Sequence, residues 1–275
     1  MNNLMDVVTK KLIDEASGDI KDNKKETSFD FDILQLWKGL DYKIDDYITI
    51  RQPTVDDIIR FGEKKLYASI SPFVTNPTTY RLQLWDIGID WNKISDFELF
   101  IVLAQGLKKE DTSLIFGDFD FSKLVPLGNP NTGEKVLMGF DGSFFIDENK
   151  YLHIREYIRL MFNQYPKVEK AKGKTTKQAI IDEERMNLLN EKKKGNRNKS
   201  IYLPLISAMV NHPGFKYRKN ELDQVGIYEF MDSVQRLQVY ESATALMRGV
   251  YSGFCDTSKM DLKNDLNWLK DLHEK

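Results

Sequence analysis

Asp118 and Asp120 stand two residues apart in the run FGDFDF at 116–121, and Asp141 follows in FDGS. Residues two apart on a strand project to the same side. Two carboxylates so placed could hold a divalent cation or divide acid and base roles, given a pocket and supporting groups. The solvent-facing side of any half-buried strand produces the same alternation, and that is the preferred reading. His153, His212 and His273 share no ligand spacing with one another or with Cys255, so no metal site is predicted. His153 reads as a surface or partly buried hydrogen-bonding residue. The glycines at 106, 117, 128, 133, 139 and 142 form neither GxxxxGK[ST] nor GxGxxG after a strand, and GxSxG is absent. Cys255 in GFCDTS has no histidine nearby in sequence to activate it. No catalytic, cofactor-binding or metal-binding residue is identified, and the sequence does not by itself establish an enzyme activity.

A second chemistry to weigh is phosphate binding. Lys192, Lys193, Lys194, Arg197 and Lys199 crowd one short window and could neutralise phosphates. That window carries no aromatic residue on which bases could stack. Formal net charge is -2, whereas a nucleic-acid binder normally shows a basic excess. A solvated hinge is the preferred reading, ahead of a protein-docking surface and of nucleic acid.

The 275 residues suffice for one large or two modest domains without covalent staples. Cys255 is the only cysteine, so no intramolecular disulfide is possible and a reducing compartment is expected. The opening residues lack a sustained apolar stretch, and no run of 18 apolar residues occurs, so neither a secretory leader nor membrane insertion is expected.

The elements that must position these groups are read from period and caps. FDFDILQLW at 29–37 has strand-like alternation, and KIDDYITIRQP at 43–53 reads as a strand closed by proline. Thr54 with Asp57, and Ser95 with Glu98, have the spacing of capping boxes. Ile58, Ile59 and Phe61 should line the inner face of the first of these helices. A short helix is expected across Tyr80–Trp85, and Gly106 should end the helix that begins after Ser95. From Asp111 the runs LIFGDF, KLVPL, KVLMGF and SFFI, with turns at 128–133 and 140–143, predict a small antiparallel meander. Tyr151 to Phe162 recur at helical spacing.

Residues 167–199 hold eleven Lys or Arg against five Asp or Glu, a local charge of +6. They read as a charged helical connector. Beyond it, Pro204 should sit in the first turn of a short apolar helix or kink it. Ile227, Phe230, Met231, Val234, Leu237, Tyr240, Ala243, Leu246, Met247, Val250 and Tyr251 keep helical spacing for some seven turns. WLKDL near the end should pack back as a further turn. The predicted class is α+β, predominantly helical. It has a polar arm at 1–27, a mixed α+β domain with the meander at 28–166, the connector at 167–199 and a helical C-terminal domain at 200–275.

Four stretches together resemble tail-morphogenesis proteins of phages and prophages of Gram-positive bacteria, and most of all the tail assembly chaperone type. They are ITIRQPTVDDIIRFGEKKLYASISPF at 48–73, GIDWNKISDFELFIVL at 88–103, NHPGFKYRKNELDQVGIYEFMDSVQRL at 211–237 and MRGVYSGFCDTSKMDLKNDLNWLKDL at 247–272. The resemblance implies a non-enzymatic chaperone, working in the host cytoplasm, that binds the tape measure protein and tail tube protein during tail assembly. It also implies a homo-oligomer. The alternative from the same gene neighbourhood is a structural component of the virion tail, such as a connector, completion or baseplate protein. Phe230, Met231, Val234, Leu237 and Tyr240 are the candidate partner-binding residues, because methionine and mixed side-chain sizes suit a helical partner of variable sequence, although packing within the chain's own domain is the preferred reading of that helix taken alone.

Overall fold

The computed structural model describes residues 29–128, 133–193, 200–253, 257–258 and 260–272. The polar arm, most of the 128–133 turn, Lys194, Arg197, Lys199, Cys255 and His273 lie outside them. Twelve α-helices and two small antiparallel sheets make up the described residues, a mostly helical α+β fold.

Asp32 begins the first helix among the described residues, α1 (Ile33–Trp37), because its side chain accepts the N–H groups of Leu34 and Gln35. That cap overrides the strand-like alternation read at 29–37. Strand β1 (Tyr42–Lys43) pairs with β2 (Thr49–Ile50) in a hairpin, Tyr42 opposite Ile50. The strand expected over 43–53 is shortened to two residues. Asp45 accepts the N–H groups of Tyr47 and Ile48 and folds that stretch into a turn instead.

The capping boxes Thr54/Asp57 and Ser95/Glu98 both form, opening α2 (Val55–Phe61) and, further on, α5 (Asp96–Ala104). On α2 the inward residues are Val55 and Ile58. Ile59, expected inward, is 57% exposed because it lies a further 100° round a helix of only seven residues. Between these helices run α3 (Glu63–Val74) and α4 (Arg81–Asp86). Next comes α6 (Lys109–Phe116), so the LIF run read as a strand is helical. Gly117, at φ 59°, ends it. The meander starts later than expected, with β3 (Leu124–Gly128), β4 (Lys135–Gly139) and β5 (Phe145–Ile146) in that order. Leu124 sits opposite Gly139, and Leu137 opposite Ile146.

Helix α7 (Glu148–Phe162) closes on Asn163 in the left-handed conformation. Helix α8 is Lys174–Lys193, and α9 is Tyr202–Asn211 with Pro204 in its first turn as expected. Then follow α10 (Lys219–Leu222), α11 (Ile227–Tyr251) and α12 (Leu262–Asp265). The residues of WLKDL pack back on α11 without forming a helix of their own.

Helix α3 is central and packs on α2, α5, α6 and α7. Its Phe73 is fully buried among the rings of Phe100, Phe116, Phe121 and Tyr151, with centroids 5.1 to 6.4 Å away. The carbonyl end of α3 is satisfied by the buried Arg159, whose Nε donates to Phe73 O at 3.0 Å and Nη2 to Thr75 O at 2.9 Å.

The same core takes in Tyr202, Met209, Leu222, Val225, Ile227, Tyr228, Phe230 and Val234. The start of α11 is stitched to α2 by Val55 N–H to Val225 O and Ile227 N–H to Pro53 O. The boundary expected at 199/200 thus does not divide two cores. Helix α8 rests on a second cluster formed by Leu82, Leu84, Trp91, Leu99 and Ile181, among others. Arg81 pairs there with Glu184, and Arg185 with Asp86. The stretch before α8 is tied down rather than hinge-like: Asn76 Nδ2 donates to Lys167 O at 2.9 Å and Asn92 Nδ2 to Ala171 O at 2.7 Å. No helix among the described residues is long and apolar enough to cross a membrane.

Candidate partner-binding surface

A 25-residue helix such as α11 is about 37 Å long at the α-helical rise. Its apolar stripe is continuous, yet its two ends have different surroundings. Phe230 is 0% exposed and Val234 is also buried, both packed into the chain's own core. Met231 and Leu237 are half-buried against that core. Of the five side chains expected to meet a partner, Phe230 and Val234 have no surface to offer as folded. The spacing that identified them reports a buried stripe without saying what buries it.

Beyond Leu237 the stripe continues through Tyr240, Thr244, Met247 and Tyr251, which share a face at three- and four-residue spacing. Only Ala243 is buried in this outer half, and Tyr251 is 86% exposed. Arg236 Nη1 donates to Trp268 O and Lys270 O at 2.7 and 2.8 Å, and Tyr240 meets the Trp268 ring edge-on at 5.5 Å. The C-terminal segment therefore lines this face with exposed Trp268 and Leu269 and leaves Met247 and Tyr251 open. Of the expected residues, Tyr240 alone is exposed and belongs to this surface. The sequence pattern named its neighbours Met247 and Tyr251 as helix residues and did not single them out as a site.

The basic window is placed in part. Lys192 and Lys193 are exposed on the last turn of α8, while Lys194, Arg197 and Lys199 lie outside the described residues. Every residue from Arg185 to Lys193 is exposed, so the end of α8 overhangs the cluster on which its first half rests.

The three aspartates that could have done chemistry are brought to one groove of about 730 Å³, lined also by Arg51, Lys123, Tyr47, Phe119, Phe140 and Phe144. Each carboxylate is engaged close by. Lys109 Nζ donates to Asp118 at 3.0 Å. Asp120 accepts from Ser122 Oγ at 2.7 Å, and Asp141 from Ser143 Oγ at 2.8 Å. The hydrogen bond and charge of Lys109 hold the Asp118 carboxyl below its ordinary range, and the Ser143 backbone N–H does the same for Asp141. A carboxyl kept ionised in this way is a poor proton donor. Asp118 and Asp120 do not lie on a strand, since Asp120 caps the 3-10 turn Phe121–Lys123. No group of three or more His, Cys, Asp or Glu among the described residues could hold a metal ion.

His153 is half-buried, 3.0 Å from Tyr42 Oη and stacked on Phe29 at 4.6 Å. Burial pushes its imidazole pKa down. His212 lies far from it in sequence and faces Glu241 of α11 at 3.5 Å. Tyr240, Met247 and Tyr251 on the outer half of α11 are exposed. No protein-family model, curated protein or solved structure matches the chain.

Proposed function

We propose that this chain is a non-enzymatic tail assembly protein that binds the long helical tape measure protein, together with tail tube protein, in the host cytoplasm. The observation that carries the reading is the outer half of α11, where Tyr240, Met247 and Tyr251 extend a core stripe past the core and remain exposed. A helix laid alongside would bury them in side-by-side packing. Methionine tolerates irregular partners, which suits a tape measure protein that presents different side chains along its length. The resemblance of 48–73, 88–103, 211–237 and 247–272 to tail-morphogenesis proteins supports the same reading.

The test is co-expression with tape measure and tail tube proteins. A co-purifying complex that keeps the tape measure protein soluble is expected, and a Met247→Asp/Tyr251→Asp variant should lose it while still folding. An undiminished complex with that variant would remove α11 from the reading. Mass spectrometry of finished particles separates the alternative: a stoichiometric amount of this chain in mature tails would make it a structural component instead of a transient chaperone.

A further inference from the structure

Two more surfaces are apolar and exposed, and they carry opposite charge. Around α1, Ile33, Leu34, Trp37 and Leu40 face outward, with Leu34 80% exposed, and Asp30, Asp32 and Asp41 are exposed beside them. Lys38 is the only cation among residues 29–41. At the overhanging end of α8, Met186, Leu188 and Leu189 are exposed, Met186 by 58%. Lys192 and Lys193 follow on the same turns, and with Arg185 they outnumber the one acidic residue of 185–193, Glu191.

We propose that these two surfaces bind each other between copies of the chain: the α8 end of one copy docks on the α1 face of the next. Both sets of side chains are exposed, so within one chain neither covers the other. Met186, Leu189 and Lys193 share a face of α8 at spacings of three and four, which puts an apolar contact and a cation on one side of the helix. On the receiving side, Ile33, Leu34 and Trp37 give the apolar floor and the aspartates the countercharge. Like-charged alternatives, α8 end on α8 end or α1 face on α1 face, are disfavoured by repulsion, so the charge pattern selects the unlike pair. The last two turns of α8 also lack packing of their own, and an unsupported helix end is marginal in water. Docking would supply that support. A contact between two different surfaces is heterologous. It propagates into a ring or an open filament instead of stopping at a dimer.

Sedimentation velocity on the full-length chain alone tests this, over a concentration series and at two salt concentrations. The wild type should grow with concentration and shrink with added salt, because exposed charges are screened. Leu34→Arg and Met186→Asp/Lys192→Glu/Lys193→Glu alter only exposed side chains, and circular dichroism should find both folded. Each variant alone should sediment as a monomer. Mixed, they retain one intact pair of surfaces and should form a one-to-one dimer that grows no further. A wild type that stays monomeric at every concentration overturns the proposal. So does either variant that assembles like the wild type, or a mixture that stays monomeric. The measurement contains no tape measure protein, so a chain that binds the tape measure protein as a monomer would sink this inference and leave the proposed function standing.

Discussion

The carboxylate of Glu63 accepts the backbone N–H of Tyr202 at 2.8 Å, joining the first residue of α3 to the first residue of α9 across 139 positions of sequence. The same carboxylate accepts from Ser200 Oγ at 2.6 Å and from the N–H of Ile201 at 3.2 Å. Residue Ile201, at the N-cap position of α9, offers no side-chain cap. Glu63 therefore shares the capping of α9 with Ser200, whose Oγ accepts the N–H of Leu203 at 2.8 Å, and its charge suits the positive end of the α9 dipole. Ring stacking of Tyr202 on Tyr67, with centroids 6.3 Å apart, holds the junction from the apolar side.

Glu63→Ala should cost about 1–3 kcal/mol, the range of a lost cap and a lost charge-assisted hydrogen bond. Glu63→Gln keeps an acceptor and should cost less. Urea denaturation gives the magnitude. Hydrogen exchange gives the place, with protection lost first over residues 200–211. Unchanged exchange in that segment would show that α9 is held by its packing alone.

Stability should also fall on mild acidification, through His153. Its pKa is lowered in the folded protein by burial, so between the folded and unfolded values the unfolded chain binds more protons. The contribution is present above the ordinary histidine pKa of about 6.5 and is lost as pH falls below it. Melting temperatures at pH 7.5 and 5.5 should differ for the wild type. The difference should shrink in His153→Gln, which keeps a polar partner for Tyr42. Carboxylates held low, such as Asp45, give way only at lower pH and leave this window to the histidine.

The 200–275 fragment should not fold by itself. Tyr202, Leu222, Ile227, Tyr228, Phe230 and Val234 pack against residues between Leu36 and Phe162, and the isolated fragment would expose that apolar face. Calorimetry of the fragment is expected to lack a cooperative transition. A sharp melt would restore the division at 199/200 that the composition suggested.

Along α11, position decides what a truncation does. Phe230→Ala empties a fully buried site and should cost about 3–5 kcal/mol. Tyr251→Ala removes an exposed ring and should change stability by no more than about 0.5 kcal/mol. It should nonetheless weaken co-purification with the tape measure protein. Chemical denaturation beside the co-expression assay separates the two effects. Equal stability losses at both positions would mean that the outer half belongs to the core.

What the sequence determined by itself was local. Thr54 with Asp57, and Ser95 with Glu98, satisfy helix N–H groups within four residues, so their capping boxes needed no tertiary partner. The periods of α7, α8 and α11 were legible for a related reason, since apolar residues recur at helical spacing along each helix, although only α7 buries that face over its whole length. The short apolar runs were ambiguous: LIF before Gly117 is helical, whereas KVLMG after the turn is a strand, and chain length and period do not separate them. Which stretch of α11 is covered was likewise beyond local pattern, because Phe230 and Tyr251 occupy one stripe and differ only in what the rest of the chain brings to them. The three aspartates were legible as a set, but the lysine and serine partners that occupy them were not. The C-terminal helices join the core formed between Leu36 and Phe162 through side chains such as Tyr202, Ile227 and Phe230, whose partners lie many tens of residues away. Burial depends on those distant contacts, and only the tertiary structure supplies them.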